Sequence, residues 1–303
     1  MHALGSVNRE KKCSVLFASQ NMKASAHRCP GSPEETRIKP LMSTVSQNVA
    51  VIAITVILSL LTMAGLNRLW PRGRRHRYNN LIGWQLTILG TTYAVILGFM
   101  LYAVWTNLGE ADLNVDSEAN AIIEVYRLAE GLPEPQRTQL RQLTADYVHT
   151  VISQEWPAMA RGKPPEQSTA IDQQMWTTVM SFKPASPTEV NAQEHAMSEL
   201  ESLARRRMTR IRQSKARLPG MLWCVLLIGG GLTILSSCAL GSDSVKIQSL
   251  EVFCFSLLVS LCLATIASIH RPFRGLIHVS DYAFQRAHQT MQSHSENRLS
   301  QQR

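Results

Sequence analysis

Four long blocks of apolar residues without charged side chains constrain this chain more than any other feature. Each block holds about 20 residues, enough for a helix with a rise of 1.5 Å per residue to cross roughly 30 Å of hydrocarbon. The charged residues lie between the blocks, so the chain is predicted to cross a membrane four times. Helices of a soluble core are the alternative, but they seldom run this long without charge. The blocks are residues 49–66, 81–105, 221–240 and 252–269.

The formal net charge of +9 would suit a nucleic-acid-binding protein. The basic residues, however, flank the apolar blocks: arginines between residues 68 and 77 follow the first block, and a second group between residues 205 and 217 precedes the third. Anionic lipid headgroups are the usual partners of basic residues in such positions. No zinc-finger or helix-turn-helix signature accompanies them, so we expect membrane lipid as a partner and no nucleic acid.

The predicted fold is all-α, with four transmembrane helices and an extramembrane helical region between spans two and three. The N-terminal residues are polar and basic, without apolar periodicity, and are predicted to be a disordered tail. Met42 begins a stretch typical of the start of a membrane protein, and the alternative interpretation is that this tail lies upstream of the true start. The predicted divisions are the tail 1–41, spans one and two in 42–106, the helical region 107–219, spans three and four in 220–270, and a C-terminal segment 271–303.

Spacings of three and four between apolar residues predict that span two continues beyond the membrane to about Ala129. The sequence "GLPEP" should end this helix, and a second helix should follow up to "EWP" at 155–157. A weaker helix is predicted near residues 170–181. The segment "SPTE" at 186–189 is a capping box, which predicts the start of a helix running toward Arg217.

Acidic residues mark the helix that leaves span two, and arginines mark the helix that enters span three. If these two helices are antiparallel neighbours, Asp116 or Glu118 should pair with an arginine between Arg205 and Arg212. At 1.5 Å per residue the height of Glu118 matches that of Arg206. The alternative is two charged faces that are solvated independently.

Small residues form a ladder along one face of the second span, at spacings that allow close helix packing. The same face could instead line a central opening narrowed by larger neighbours, and the periodicity does not separate these two interpretations. The candidate pore-lining or packing residues are Gly90, Ala94, Ile96, Gly98, Phe99 and Met100.

No charged residue lies in the middle of any apolar block, which argues against a proton relay, an ion-coupled transporter and a voltage sensor. A channel closed by a hydrophobic constriction needs none. No nucleophile, phosphate-binding or metalloprotease motif occurs, and the cysteines show no CxxC spacing. We therefore predict no catalytic residues, no metal ligands, no cofactor and no enzymatic activity.

Several stretches together resemble the bacterial bestrophin-like membrane proteins. They are "YAVILGFMLYAVW", "EAN" at 118–120, "YRLAEGLPEPQR", "EWPAMARG" and "RPFRG", and the resemblance covers residues 49–287. The residues of these motifs that we single out are Glu118, Glu155, Trp156, Pro157, Arg271, Pro272, Phe273 and Gly275.

This resemblance implies a homo-oligomer, pentameric as in bestrophins, that conducts anions along a path lined by span two. It also implies a multi-pass protein of the bacterial inner membrane with a cytoplasmic middle region. The five arginines of the short first loop favour the opposite orientation, with that loop in the cytoplasm and the middle region outside. The chain departs from bestrophins in the inserted Arg274 and in the missing acidic cluster that binds calcium downstream, since Asp281 stands alone there. The alternative is a non-conducting scaffold or sensor whose helical region binds a partner protein.

Overall fold

The computed structural model describes residues 33–70, 75, 77–242 and 244–301. Within these ranges every regular element is helical and no strand occurs, which confirms the predicted all-α class. The chain divides into two units, residues 1–43 and residues 44–303. Of the predicted N-terminal tail, residues 1–32 lie outside the described residues, and residues 33–41 belong to the first helix.

Nine helices are described, two of which are followed by a short turn of different pitch. The helices are α1 (Pro33–Leu69), α2 (Asn79–Leu128), α3 (Gln136–Thr150), α4 (Trp156–Ala160), α5 (Thr169–Met180), α6 (Pro187–Lys215), α7 (Gly220–Ala239), α8 (Val245–Ile269) and α9 (Tyr282–Gln301). A 3₁₀ turn at Ala129–Gly131 follows α2, and a π-helical turn at Val151–Glu155 joins α3 to α4. Stretches of α1, α2, α7 and α8 are long and apolar enough to cross a membrane, as predicted.

Helix α2 is much longer than a membrane is thick. Its 50 residues span about 75 Å at 1.5 Å per residue, so a large part of the helix lies beyond the hydrocarbon. In this extramembrane part, one stripe is fully buried, including Ala111, Val115, Ala119 and Ile122. The structure thus confirms that span two continues into the extramembrane region, up to the 3₁₀ turn before "LPEP".

The chain between α3 and α4 differs from the prediction of one regular helix ending at "EWP". The helix changes to a π-helical turn at Val151–Glu155 and then continues as α4, with Pro157 in its first turn. Proline has no backbone N–H and cannot donate to the carbonyl four residues earlier, so a regular helix cannot run through this position unchanged. The wider turn brings the side chain of Glu155 into the protein interior, where it is completely buried.

Helix α6 begins as the capping box predicts. The side chain of Ser186 accepts a hydrogen bond from the backbone N–H of Glu189 at 3.2 Å. Helices α6 and α2 are antiparallel: Glu118 contacts Arg210, whereas Gly131, farther along the chain after α2, lies against Ala192 near the start of α6. A β-carbon at Gly131 would lie 2.6 Å from that of Ala192, so only glycine fits there.

The extramembrane helices share one apolar core, to which the C-terminal helix contributes. Helix α9 buries Phe284, Ala287 and Met291 in this core. The sequence analysis assigns no secondary structure to the C-terminal segment, because its few apolar positions do not stand out in so polar a sequence. A separate apolar cluster lies between the spans, around Val104, Leu226 and Ile266.

Candidate functional site

A fully buried arginine joins two buried carboxylates at the centre of the extramembrane region. Arg210 of α6 donates from Nε to Oε2 of Glu118 at 2.8 Å and from Nη2 to Oε1 of the same carboxylate at 2.9 Å. Its Nη2 also donates to Oε2 of Glu155 at 2.8 Å. One guanidinium therefore links α2, α6 and the π-helical turn.

A second arginine balances the charge of this cluster. Arg207, one turn before Arg210, lies 3.7 Å from Oε1 of Glu155 and donates from Nε to the hydroxyl of Ser168 at 2.8 Å. Ser168 in turn donates to Oε1 of Glu155 from its backbone N–H at 3.0 Å and from its hydroxyl at 2.9 Å. Two carboxylates and two guanidinium groups thus compensate one another, which is what burial of charge requires.

Tyr147 of α3 completes the hydrogen bonding of Glu118. Its hydroxyl donates to Oε1 of Glu118 at 2.7 Å, and the ring is fully buried. Burial, together with the negative charge of Glu118, raises the pKa of Tyr147 well above its usual value, so the hydroxyl keeps its proton and remains a donor. We call Tyr147, Glu118, Glu155, Arg207 and Arg210 the buried charge cluster.

Electrostatics keeps Glu155 and Arg210 ionised. Burial by itself would raise the pKa of Glu155, but the charge of Arg210 and the hydrogen bonds from Ser168 outweigh it, so the pKa is lowered. Burial would likewise lower the pKa of Arg210, and Glu118 more than offsets this effect. Glu155 and Arg210 are therefore fixed charges at neutral pH.

The predicted pairing between the acidic and basic helices is confirmed at one position. Glu118 pairs with an arginine of the predicted range, but the partner is Arg210 and not Arg206. Arg210 continues the buried stripe of α6, whereas the side chain of Arg206 is exposed and only its backbone carbonyl contacts α2, at 3.0 Å from Nδ2 of Asn114. Asp116 lies 3.8 Å from Arg286 of α9.

Two of the quoted sequence motifs meet beside the cluster. The ring of Trp156, from "EWP", packs edge-on against Phe273, from "RPFRG", with 5.7 Å between ring centroids, and against Phe284 of α9 at 5.9 Å. Nε of Arg274 donates to the carbonyl of Ala160, the last residue of α4, at 3.0 Å. The segment after the last span is thereby attached to α4.

Two glycines permit this attachment. Gly162 has φ of 73° and lies directly beneath the guanidinium of Arg274, whose atoms would come within 2.3 Å of a β-carbon there. Gly275 has φ of 101°, and a β-carbon would lie 3.1 Å from the carbonyl oxygen of Ser268. Both backbone conformations favour glycine, which accounts for the last residues of "AMARG" and "RPFRG". Pro272, which precedes Phe273 in "RPFRG", is buried.

The candidate pore-lining or packing residues separate into two groups. Ile96 and Met100 are partly buried against the apolar cluster between the spans. Ala94, Gly98 and Phe99 are exposed within the single chain, and the side chain of Phe99 is 71% exposed. Gly90 lies between the two groups: a β-carbon added to it would be 4.0 Å from a methyl group of Thr233 on α7.

Close packing of the second span uses a residue outside the predicted ladder. Tyr93 is buried against Gly229 and Gly230 of α7, where added β-carbons would come within 2.8 Å of its side chain. Its hydroxyl donates to the carbonyl of Leu226 at 2.9 Å. Three consecutive glycines inside an apolar block were the available signal for this contact.

The sequence places Arg207 and Arg210 only within the candidate range from Arg205 to Arg212, and it does not point to Tyr147 or Ser168 as their neighbours. The buried stripe of α6 consists of Ala192, Ala196, Leu200 and Leu203, and spacings of four and three carry it on to Arg207 and Arg210. Because arginine is charged, these two positions do not read as part of an apolar stripe in the sequence. Among the residues that the structure describes, no group of three or more His, Cys, Asp or Glu side chains could hold a metal ion.

Comparison with known proteins adds a family and a fold. The profile of the bestrophin-like domain matches residues 53–284. A mutant crystal structure of a bacterial bestrophin homologue from Klebsiella pneumoniae superposes with a TM-score of 0.62 at 14% identity, covering 81% of this chain and 99% of that one. Another structure of a homologue from the same organism gives 0.59 at 13% identity, covering 80% and 96%. No curated protein matches the chain.

Proposed function

The chain belongs to the bestrophin-like family, and from that premise we propose that it assembles as a homo-oligomer and conducts small ions along a path lined by α2. It is a membrane protein of the bestrophin type, with four helices able to span a bilayer. By resemblance the assembly is a pentamer of the bacterial inner membrane, and the conducted ion is an anion. We expect no enzymatic activity.

The observation that carries this proposal is the uncovered face of α2. The opposite face of the helix packs against the rest of the chain through Tyr93 and Val104, whereas Ala94, Gly98 and Phe99 have no cover within the protomer. The uncovered face extends beyond the hydrocarbon, where the side chain of Leu113 is 67% exposed. Copies of the chain arranged around an axis along this face would enclose a path that has no charged residue over the length of the apolar block.

Phe99 is the residue best suited to narrow such a path. At 71% exposure it is the most exposed of the large apolar residues of α2, and it directly follows Gly98. An apolar ring at a constriction would hold back ions by excluding water, a form of gating that requires no charged residue in the spans. The absence of charge from the apolar part of α2 agrees with this mechanism.

The buried charge cluster has a supporting role in the proposal. Glu118 is on the same helix as Phe99, and Arg210 ties it to α6 and to Glu155 by hydrogen bonds of 2.8 to 2.9 Å. These bonds fix the rotation of α2 about its own axis. The cluster thereby keeps the uncovered face directed away from the protomer.

Ion selectivity calls for a comparison of anions with cations. The resemblance to bestrophins predicts that anions are conducted. Two acidic residues argue for cations instead, because Glu110 and Asp112 are exposed on α2 just beyond the apolar block. Carboxylates repeated around the mouth of a path would raise the local concentration of cations. The decisive test is flux from liposomes containing purified protein under chloride, sodium and potassium gradients. Silent liposomes with an intact oligomer would contradict the proposal and favour a non-conducting scaffold.

The cytoplasmic placement of the middle region is tested by labelling. Gln142 is exposed on α3, far from the spans, so Gln142→Cys offers a single added thiol. A membrane-impermeant maleimide should leave it unlabelled in intact cells whose outer membrane is permeable to the reagent, and should label it after lysis. The parent protein controls for the native cysteines. Equal labelling before and after lysis would place the region on the outer side.

A further inference from the structure

Three arginines lie together where the last two spans leave the membrane. Arg217 shortly precedes α7, and Arg271 and Arg274 shortly follow α8. The two ends are adjacent, because the rings of Trp223 in the first turn of α7 and of His270 at the end of α8 are 5.6 Å apart. The arginines therefore share one boundary between the apolar and the polar parts of the molecule.

This arginine cluster has no carboxylate partner in the part of the chain that the structure describes. Among the residues that the structure describes, Arg217, Arg271 and Arg274 form no ion pair. Arg217 is exposed, and Arg271 and Arg274 are partly exposed, so part of each side chain can be reached from outside the protomer. By contrast, the two arginines of the buried charge cluster, Arg207 and Arg210, are both paired with carboxylates.

Arg271 also has an unused buried donor. Its Nε is shielded from solvent, and within the described part of the chain it has no hydrogen-bond acceptor. A buried N–H group left without an acceptor costs about 1–3 kcal/mol, more when charged. The Nη groups of Arg271 likewise form no hydrogen bond among the described residues, and the side chain is only partly buried, so these groups are the donors that an external ligand with anionic oxygens would reach.

Arg274 is held so that part of its guanidinium remains available. Its Nε is bonded to the carbonyl of Ala160 at 3.0 Å, and its plane lies on Gly162. No hydrogen bond of its two Nη groups is found among the described residues. A fixed guanidinium loses little conformational freedom when it binds a phosphate.

We propose that Arg217, Arg271 and Arg274 form a binding site for the phosphate group of an anionic phospholipid. Phosphate oxygens match the paired donors of guanidinium groups, and several arginines together provide the charge that a phosphodiester needs. The position favours a lipid over a free anion for two reasons. Tryptophans such as Trp223 are enriched at the level of the lipid headgroups, and the adjoining surfaces of α7 and α8 are apolar. Free phosphate would have the same chemistry and is distinguished by the experiment.

The test measures ligand-induced stabilisation of the full-length protein, which does not require ion flux and so stands apart from the proposed function. Delipidated protein in neutral detergent is titrated with phosphatidylglycerol, with phosphatidylcholine and with inorganic phosphate, and unfolding is followed by heating. Native mass spectrometry counts the bound lipid. The variants are Arg271→Gln and Arg217→Gln. Arg205→Gln is the matched control, because Arg205 is an exposed arginine of α6 that pairs only with the exposed Glu201.

Phosphatidylglycerol should stabilise the wild type and the control alike, and each cluster variant should bind it about tenfold more weakly, as expected when one charge-assisted contact is lost. Arg271→Lys, which keeps the charge without the fork, should recover part of the affinity and controls for misfolding. Stabilisation by inorganic phosphate alone, lost in the same variants, would replace the lipid with a free anion. Equal lipid binding by all variants would overturn the proposal.

Discussion

Arg210 donates two parallel hydrogen bonds to Glu118, at 2.8 and 2.9 Å, and neither side chain is exposed to solvent. This geometry joins the extramembrane part of α2 to α6. A buried pair of this kind is not always more stable than an apolar contact of the same size, but removing one partner leaves the other charged and buried. The consequences can be measured.

Arg210→Gln should lower the free energy of unfolding by about 3–5 kcal/mol, because Glu118 and Glu155 lose their common partner. Glu118→Gln should also be destabilising, and the double variant should cost less than the sum of the two, with a coupling energy of about 0.5–3 kcal/mol. Denaturation in mixed micelles provides the measurement. Arg206→Gln is the control, because its side chain is exposed on the same helix. Strict additivity would show that the pair does not interact.

Tyr147→Phe removes a single donor and leaves the ring in place. Oε1 of Glu118 would keep its bond from Arg210 but lose the one from the hydroxyl at 2.7 Å. The expected cost is about 1–3 kcal/mol, measured in the same denaturation assay. In the Glu118→Gln background the substitution should cost less, since the acceptor is then uncharged. An equal cost in both backgrounds would mean that the hydroxyl does not serve Glu118.

Acid should destabilise the protein through Glu155. Its pKa is lowered in the folded state, so its contribution to stability is present above its ordinary value of 4.5 and is lost as the pH falls through the lower folded-state value. The difference in unfolding midpoint between wild type and Glu155→Gln should therefore be large near pH 7 and shrink toward about pH 3. Glu201→Gln, at an exposed ion pair, should show a small difference. A constant gap for Glu155→Gln would refute the linkage.

Gly162→Ala should be destabilising by more than the conformational strain of about 1–2 kcal/mol that a left-handed residue carries. The added β-carbon would also displace the guanidinium of Arg274 from the carbonyl of Ala160. Gly109→Ala is the opposite case, since Gly109 lies inside α2 with open space around it. That change should stabilise by up to about 1 kcal/mol. Thermal unfolding in detergent compares the two, and similar effects would contradict the geometry.

Phe99→Ala should increase ion flux from liposomes several-fold if its ring narrows the proposed path. Leu61→Ala is the control, because Leu61 is an equally apolar, 63% exposed side chain on α1. Both variants should assemble normally, which size-exclusion chromatography can verify. An unchanged flux in Phe99→Ala would move the constriction elsewhere, for which Leu113 is the next residue to replace.

The spans were predictable because lipid imposes a simple rule, that about 20 residues must be apolar. Helix boundaries in the polar part followed where local chemistry decides them, as at Ser186. The partner of Glu118 was harder to predict. Arg206 and Arg210 lie close together around the axis of α6, and a small rotation of the helix, which only the packed core defines, decides which of them is buried. The π-helical turn and the contact between Tyr93 and Gly229 depend on tertiary packing as well, and neither leaves a periodic signal.

Helix α2 contains no proline between Phe99 and Glu118, a separation of about 28 Å at the α-helical rise. A continuous helix resists twisting about its axis, so a rotation of α2 at Glu118 is transmitted to Phe99. By holding Glu118, Arg210 therefore sets the orientation of Phe99 from outside the hydrocarbon region. A displacement of a few degrees at the carboxylate would turn the phenyl ring through the same angle, without any loop having to move.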